Sequence, residues 1–519
     1  MELIKKRIHY IREGKKIFDQ FYVDEDYNIP EAKEDVRRIV DTGTELKIEE
    51  IRPVENYVRI TGKLYFRILY LNVSSDPKPG VLEGKLPFEE MVYAENQEGE
   101  EFYVQNVRIE FTPSLIHSRK LSLRAMVELE VGREKLVDEE TVTDAEGDVP
   151  LYKKMKKVQL LQLEVTKKDT YRIKEEITIP GTKESIGQIL FTDISERKLE
   201  LRPGQDELIV RGELFLFCMY LSGDEKPDWI SQTIPYEGRI PCEGISEEMY
   251  FSIRHTMEDT LTDLRMDEDG EMRILGIEGT LALHMNFYRE ESVELLEDLY
   301  SLQKQCLFDT TEVVCEELLM QNQSKCKVTE RLSLPELKTD VLQILHARGA
   351  IQVEHADRTG EGIRVEGILH LSFLYLRGDD AEPYGSWQGM IPFEHQIECK
   401  EMPEETVYNM EQHIEQLQIT LVGSESVEIK GILTFDTFLR RPVKVWTMEN
   451  VREEPLDLEQ LEKIPSIVGH IVQRGEDLWQ LAKQYMTTKE GIMEVNGMQN
   501  ENVKEGDKLL IFKENMSIL

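Results

Sequence analysis

The sequence lacks any apolar run long enough to cross a membrane. Its longest such run is Leu214–Leu221, whereas a spanning helix needs about 20 apolar residues. The first residues, Met1–Arg7, lead into more charge rather than into an apolar stretch. We therefore expect no signal peptide and a location in the cytoplasm, where the chain is made.

Cysteine is scarce, and its spacing excludes the usual zinc patterns. None of the six cysteines forms a C-x-x-C pair, and Cys218 lies inside an apolar run that resembles a strand. We expect free core thiols in a reducing compartment rather than disulfides or a metal site. The six positions are Cys218, Cys242, Cys306, Cys315, Cys326 and Cys399.

Basic residues are outnumbered, 63 against 101 acidic ones, which gives a formal net charge of −38. Such a surface repels nucleic acid and the anionic face of a membrane, so neither is an expected partner. The acids most simply form solvated outer faces. A hydrophobic content of 40% in 519 residues is enough for buried cores, and the length predicts three or four units.

Motifs for catalysis are missing as well. The chain has no G-x-x-x-x-G-K-[ST], no G-x-S-x-G and no H-E-x-x-H, and no pair of carboxylates stands out among so many acids. We interpret His395 and His413, each close to a glutamate, as surface residues rather than ligands. We expect Trp229, Trp387 and Trp446 to fill cores or edges. The sequence thus predicts a non-enzyme without metal or cofactor.

What the sequence does contain is one unit in three copies. Each copy opens with an apolar residue and a proline, at Pro30, Pro180 and Pro335. A glycine follows 32 residues later in every copy, and the tyrosine of a Tyr-Leu pair comes eight residues after the glycine. These residues are Gly62, Gly212 and Gly367, then Tyr70, Tyr220 and Tyr375.

The segment around each glycine has the period of a β-strand. In the first copy Val58, Ile60, Leu64, Phe66, Ile68 and Tyr70 share one parity, and both other copies repeat the pattern. Alternation of period two places these residues on one sheet face, with Arg59, Arg211 and Arg364 on the other. The second face becomes apolar towards the Tyr-Leu end, which predicts that both faces are covered there. The glycine permits a bulge or a close backbone approach.

These patterns predict a mainly β protein of three tandem β-rich repeats, each like a sandwich or a barrel. We assign the repeats to residues 1–140, 165–290 and 325–445. The segment after each opening proline, such as Glu31–Val40, is predicted to be a short helix or a bent strand. The connecting segments, 134–170 and 289–330, are partly helical in pattern and are interpreted as linkers or packing arms.

From Gly469 the pattern changes to a small βααβ module, assigned to residues 466–514. Ile471-Val472 predicts a strand, and Asp477 with Gln480 predicts a capping box at the start of a helix. Thr488 is the predicted cap of a second helix, which ends at Asn496-Gly497. A last strand is predicted at Leu509–Ile511.

This module resembles the LysM family. The matching positions are Gly475, Leu478, Trp479, Leu481, Ala482, Tyr485, Thr488, Ile492, Asn496, Gly506 and Leu509. The resemblance implies a groove for N-acetylglucosamine polymers such as peptidoglycan. Its implied residues are Gly475, Glu476, Asp477, Leu478 and Trp479 on one side, opposite Asn496, Gly497 and Met498. Glu476-Asp477 replaces the usual Asp-Thr or Asp-Ser, so a hydroxyl is lost and a protein ligand becomes a rival to sugar.

The repeats resemble the spore-coat-type (SPOCS) repeat of endospore-forming bacteria, through the Ile-Pro opening, the strand that ends in Tyr-Leu, and a later Pro-Phe-Glu such as Pro87–Glu89. Three such repeats before one LysM module are similar to the SipL/SpoVID group of spore coat morphogenetic proteins. The resemblance implies a scaffold in the mother-cell cytoplasm at the forespore surface. Its implied partners are the morphogenetic ATPase SpoIVA and other coat proteins. The alternative is a peptidoglycan-binding protein.

Overall fold

Strands dominate the chain, as the alternating patterns predict. The computed structural model describes residues 1–74, 76–95, 97–335, 337, 341–423 and 425–514. Within these residues α-helices occur only after residue 457. The prediction of a mainly β fold followed by a small βααβ module is therefore confirmed.

The first repeat contains two antiparallel sheets. The inner sheet has the order β3-β4-β5, and in the outer sheet β8 pairs with β1, β2, β6 and β7. The strands are β1 (Glu2–Glu13), β2 (Ile17–Asn28), β3 (Val36–Val54), β4 (Tyr57–Asn72), β5 (Pro79–Tyr93), β6 (Glu101–Phe111), β7 (Ser114–His117) and β8 (Lys120–Glu146).

The second and third repeats have the same two sheets with six strands each. In the second repeat the sheets are β10-β11-β12 and β13-β14-β9, and in the third they are β16-β17-β18 and β15-β20-β19. The strands of the second repeat are β9 (Tyr152–Thr178), β10 (Ile186–Pro203), β11 (Glu207–Ser222), β12 (Pro227–Pro241), β13 (Tyr250–Met266) and β14 (Met272–Tyr300). Those of the third are β15 (Lys304–Ser333), β16 (Val341–Thr359), β17 (Gly362–Arg377), β18 (Tyr384–Glu398), β19 (Val407–Leu421) and β20 (Ser426–Pro455).

The predicted apolar face of the glycine-containing strand forms the core of each repeat. In β4 all six residues of that parity are buried, and they pack with residues of β8 between the two sheets. The same parity of β11 is buried in the second repeat, and that of β17 in the third, where Tyr375 alone is only partly buried. Arg59, Arg211 and Arg364, which are predicted on the other sheet face, have side chains that are 34%, 50% and 48% exposed. Burial of this single parity fixes the register of each strand.

The glycine of each long strand faces an irregularity in its neighbour. The register shifts between Ile48 and Glu50 opposite Gly62, and the other two repeats show the same shift opposite their glycines. A Cβ atom on Gly62 would meet the carbonyl oxygen of Lys47 and the ring of Phe88. The predicted bulge and close backbone approach are thus confirmed.

The segments predicted as partly helical linkers are strands, so the helical interpretation is wrong. The outer strands continue beyond each repeat as paired ribbons: ribbon 1 joins β1 to the end of β8, ribbon 2 joins β9 to β14, and ribbon 3 joins β15 to β20. Alternate residues such as Val313 and Cys315 are buried, which is the period of a strand. The three ribbons share one apolar cluster and are packing arms.

Equivalent residues of the three repeats also meet at a hub. Val40, Leu190 and Leu345, each ten residues after the opening proline, lie in one buried cluster. The ends of the glycine-containing strands join it through Leu69, Met219 and Leu374, which confirms that both faces are covered there. The repeats are therefore arranged around a common centre.

Polar pairs at the hub differ from repeat to repeat. Arg348 of the third repeat donates to both carboxylate oxygens of Asp41 in the first, at 2.7 Å each. His346 lies 2.8 Å from Asp193 of the second repeat and stacks on Phe217 with centroids 4.4 Å apart. Burial acts to raise the pKa of Asp193, but the hydrogen bond with His346 holds this pKa below its usual value. These pairs distinguish positions that the hydrophobic pattern leaves equivalent.

The stretch after the opening proline forms no helix in the first two repeats, so of the two predictions for this stretch the short helix is wrong there. In the third repeat most of the stretch lies outside the described residues. In the first repeat residues 31–33 form a turn, and β3 begins at Val36. In the second repeat a turn at 181–183 precedes β10 in the same way. The proline lacks an amide hydrogen and favours this turn.

Candidate functional site

The C-terminal module has the predicted order of elements. A short helix α1 (Leu458–Lys463) leads into β21 (Ile467–Ile471), α2 (Leu478–Gln484), α3 (Lys489–Val495) and β22 (Lys508–Phe512). β21 and β22 are antiparallel, with Ile467 opposite Phe512. The module has its own core, which contains Val472, Leu478, Trp479, Leu481, Ala482, Ile492, Leu509 and Ile511.

The two predicted helix caps are confirmed. The side chain of Asp477 accepts a hydrogen bond from the Gln480 amide at 2.8 Å, and the Gln480 side chain accepts one from the Asp477 amide. This capping box satisfies amides that the first helical turn leaves without partners. Thr488 accepts a bond from the Gly491 amide at 2.9 Å. Gly475 has a φ of 88°, a conformation that favours glycine in the turn before α2.

The first side of the predicted groove is largely occupied by internal contacts. The Glu476 carboxylate accepts from the Gln473 amide at 2.7 Å and lies 2.7 Å from His470. The hydrogen bond from the Gln473 amide, and then the one with His470, hold the pKa of Glu476 below its usual value. Leu478 and Trp479 are buried. Among the predicted residues on this side of the groove, only Gly475 is exposed.

The polar side chain on the opposite side of the groove also makes internal hydrogen bonds. The Asn496 amide donates to the carbonyls of Ile492 and Leu510, and its oxygen accepts from the Leu510 amide, all at 2.8 Å. Asn496 therefore ties α3 to β22. Met498 is partly buried against the module's core, whereas Gly497 is exposed with a φ of 64°. The backbone around Gly475 and Gly497 is the part of the groove that a ligand can reach without displacing internal contacts.

The module is docked on the end of ribbon 2. Trp479 makes an edge contact with Tyr300, with centroids 5.0 Å apart, and Tyr300 stacks on Tyr152 at the same separation. The Trp479 indole N–H donates to Asp298 at 2.7 Å, and Lys483 donates to the other oxygen of Asp298 at 2.6 Å. We call Tyr152, Lys154, Asp298 and Tyr300 the ribbon tip.

Two further bonds complete this interface. The Tyr300 hydroxyl donates to the Thr487 carbonyl at 2.8 Å, and Lys154 lies 3.1 Å from the free oxygen of Asp477. Burial raises the pKa of the Tyr300 hydroxyl, so it stays a donor at neutral pH. All four residues of the ribbon tip lie in segments that the sequence patterns indicate as linkers or packing arms, so none of them is among the predicted site residues. The pairing of Tyr152 with Tyr300 across β9 and β14 is visible only after the strands are aligned.

One face of the small sheet is apolar and open. Ile467, Ile471, Leu510 and Phe512 are 57%, 53%, 42% and 40% exposed. The strand register places them on the same face, where Gly469 lies opposite Leu510 and leaves the surface flat. We call these four residues the outer sheet face. A contiguous apolar patch of this kind is typical of a protein contact surface.

A second polar region lies between the repeats. Two adjoining cavities of about 550 and 280 Å³ share His255, Glu411 and His413 as lining residues. His413 is only 17% exposed, and the His395 side chain contacts Ser324 and stacks on Phe435, so the interpretation of both as surface residues is wrong. Burial lowers the pKa of His413 and raises that of Glu411. No group of three His, Cys, Asp or Glu side chains suited to a metal ion occurs among the described residues.

The remaining sequence candidates take ordinary positions. Trp387 packs against Phe373 in the third core, Trp229 borders the hub, and Trp446 is 57% exposed on ribbon 3. All the cysteines are free, and five of them are buried. Among the described residues no helix is long and apolar enough to span a membrane.

Comparison with family models gives two kinds of match. The SPOCS domain of SipL matches three regions, residues 35–112, 185–265 and 340–422. The LysM domain matches residues 470–512. No curated protein and no solved structure gives a significant match to the chain.

Proposed function

Because three SPOCS domains and a C-terminal LysM domain make this chain a SipL/SpoVID-like protein, we propose that it is a non-catalytic adaptor of spore coat assembly. The two kinds of domain support a sporulation-related adaptor of the peptidoglycan-binding type. In the more specific form of this proposal, the LysM domain docks on SpoIVA at the forespore surface, in the mother-cell cytoplasm. The repeats contribute binding surfaces for other coat proteins.

The outer sheet face of the LysM domain is the observation that carries the proposal. Four large apolar side chains are exposed together there, and none of them belongs to the buried core of the module. Interfaces between proteins bury such apolar centres inside a polar rim. Exposed Lys508 supplies part of that rim beside Ile471. A protein ligand uses this surface without entering the groove, whose polar side chains are engaged internally.

The experiment is capture of purified SpoIVA by the full chain. We expect Ile471→Glu and Leu510→Glu each to reduce capture at least tenfold, because a charge in the centre of an apolar interface must be desolvated. Leu261→Glu is the matched control, since Leu261 is 64% exposed on the second repeat. Undiminished capture by both LysM variants, or by a chain that lacks residues 465–519, contradicts the proposed role of the LysM domain.

Peptidoglycan is the second candidate ligand, supported by the LysM match and by the accessible backbone at Gly475 and Gly497. This alternative predicts that the chain sediments with purified peptidoglycan and that N-acetylglucosamine oligomers compete for it. Variants of Asp477 and Asn496 are unsuitable tests, because both residues cap or tie elements of the module. If the chain does not bind N-acetylglucosamine oligomers at millimolar concentration, this result argues against peptidoglycan as the ligand.

A further inference from the structure

The LysM domain is not tethered freely behind the repeats, since ribbon 2 binds it through both apolar and charged groups. Apart from the bond of Tyr300 to Thr487, the contacts converge on α2 and the turn before it, which form the first side of the groove. The two carboxylate oxygens of Asp298 accept hydrogen bonds from Trp479 and Lys483, and Lys154 reaches the carboxylate of Asp477. The Asp298 side chain is 23% exposed, so these bonds lie at a partly dry interface.

We propose that the ribbon tip is an intramolecular docking site that closes the first side of the LysM groove against sugar. The probe ligand is an oligomer of N-acetylglucosamine, so the inference rests on the second candidate function. A sugar that extends from the exposed backbone at Gly475 to Asp477 has to displace Lys154. Docking and sugar binding are then competing equilibria, and the affinity of the intact chain is reduced by the fraction of molecules that is docked.

The chemistry of the contact explains why it holds and how it opens. Trp479 offers an N–H that loses its acceptor if Asp298 is removed, and a buried donor without a partner is unfavourable. Lys154 also lies 3.5 Å from Glu297, so replacing this lysine by an acid places three carboxylates together, those of residues 154, 297 and 477. Repulsion among them opposes docking directly. Neither change touches the core of ribbon 2, since Lys154 and Asp298 are partly exposed.

Dissociation of the domain is measured first, by hydrogen exchange of the full chain. We expect the double variant Lys154→Glu/Asp298→Ala to exchange at least tenfold faster than the wild type in peptides covering 297–303 and 484–488. Glu294→Ala is the matched control, because Glu294 is exposed on the same strand and outside the interface. Equal exchange in the double variant and the wild type overturns the proposal.

Sugar binding is measured on the same three proteins with N-acetylglucosamine oligomers. We expect the double variant to bind at least tenfold more tightly than the wild type and the Glu294→Ala control to match the wild type. Equal affinity in all three, or binding by none, overturns the closure of the groove. SpoIVA capture through the outer sheet face is a separate assay, so failure here and failure of the proposed adaptor role are distinguishable.

Discussion

Ionisable side chains lie at positions where the repeats join each other. His284 of the second repeat lies 2.6 Å from Arg254 and 3.3 Å from Glu134 of the first repeat. Burial, and then the positive charge of Arg254, lower the pKa of His284 to about 4. In an unfolded chain the same group takes up a proton near pH 6.5.

This difference predicts an acid sensitivity that is due to one side chain. Between about pH 4 and 6.5 the unfolded state binds the proton and the folded state does not, so falling pH destabilises the fold. For His284 the loss from pH 7 to pH 5 is about 2 kcal/mol. Urea unfolding at both pH values should show that His284→Gln reduces the loss by this amount. The control His117→Gln, at an exposed site, should leave the loss unchanged. An identical pH dependence of stability in the wild type and in His284→Gln contradicts the prediction.

At the scale of elements, the long strand of each repeat contains a glycine at a position where a larger residue would collide with its neighbours. The bulged neighbour strand brings a carbonyl oxygen over Gly62, and the Phe88 ring closes the other side. Gly367 has an equivalent environment formed by the Gln352 carbonyl and Phe393. The repeated spacing in the sequence and the repeated bulge in the sheet therefore have the same steric cause.

Gly62→Ala is expected to destabilise the protein by about 1–3 kcal/mol, because the methyl group forces apart a packed backbone and an aromatic ring. Thermal unfolding followed by circular dichroism measures the effect. Gly181→Ala serves as the control, since a Cβ atom there meets nothing within 4 Å, and its effect should stay within about 0.5 kcal/mol. A Gly62 variant as stable as the control contradicts the steric argument.

At the scale of the whole molecule, buried ion pairs connect repeats that are distant in sequence. Arg440 of the third repeat is 1% exposed and donates to Glu316 at 2.9 Å and to Glu13 of the first repeat at 3.3 Å. Asn409 accepts a third bond at 2.9 Å. Together with the hub pair of Arg348 and Asp41, this network links the first and last repeats.

Removing this arginine should destabilise the whole body. Arg440→Ala leaves two buried carboxylates without a counter-charge, which costs about 3–5 kcal/mol. The neighbouring Arg441 is 42% exposed and pairs with Glu317, so Arg441→Ala should cost no more than about 1 kcal/mol. Urea unfolding of both variants tests the contrast, and equal losses contradict the assignment of Arg440 as the buried link.

Local pattern in the sequence determined the repeats, the buried parity of each long strand, the bulge at Gly62, and both helix caps of the LysM domain. Each of these depends on residues a few positions apart or on a period that repeats along the chain. Tertiary structure alone decided that the supposed linkers are ribbons, that Arg440 pairs with Glu316 and Arg348 with Asp41, and that Asp298 binds Trp479. Those contacts join residues more than 100 positions apart. No local periodicity encodes them, because they form only when distant parts of the chain pack against each other.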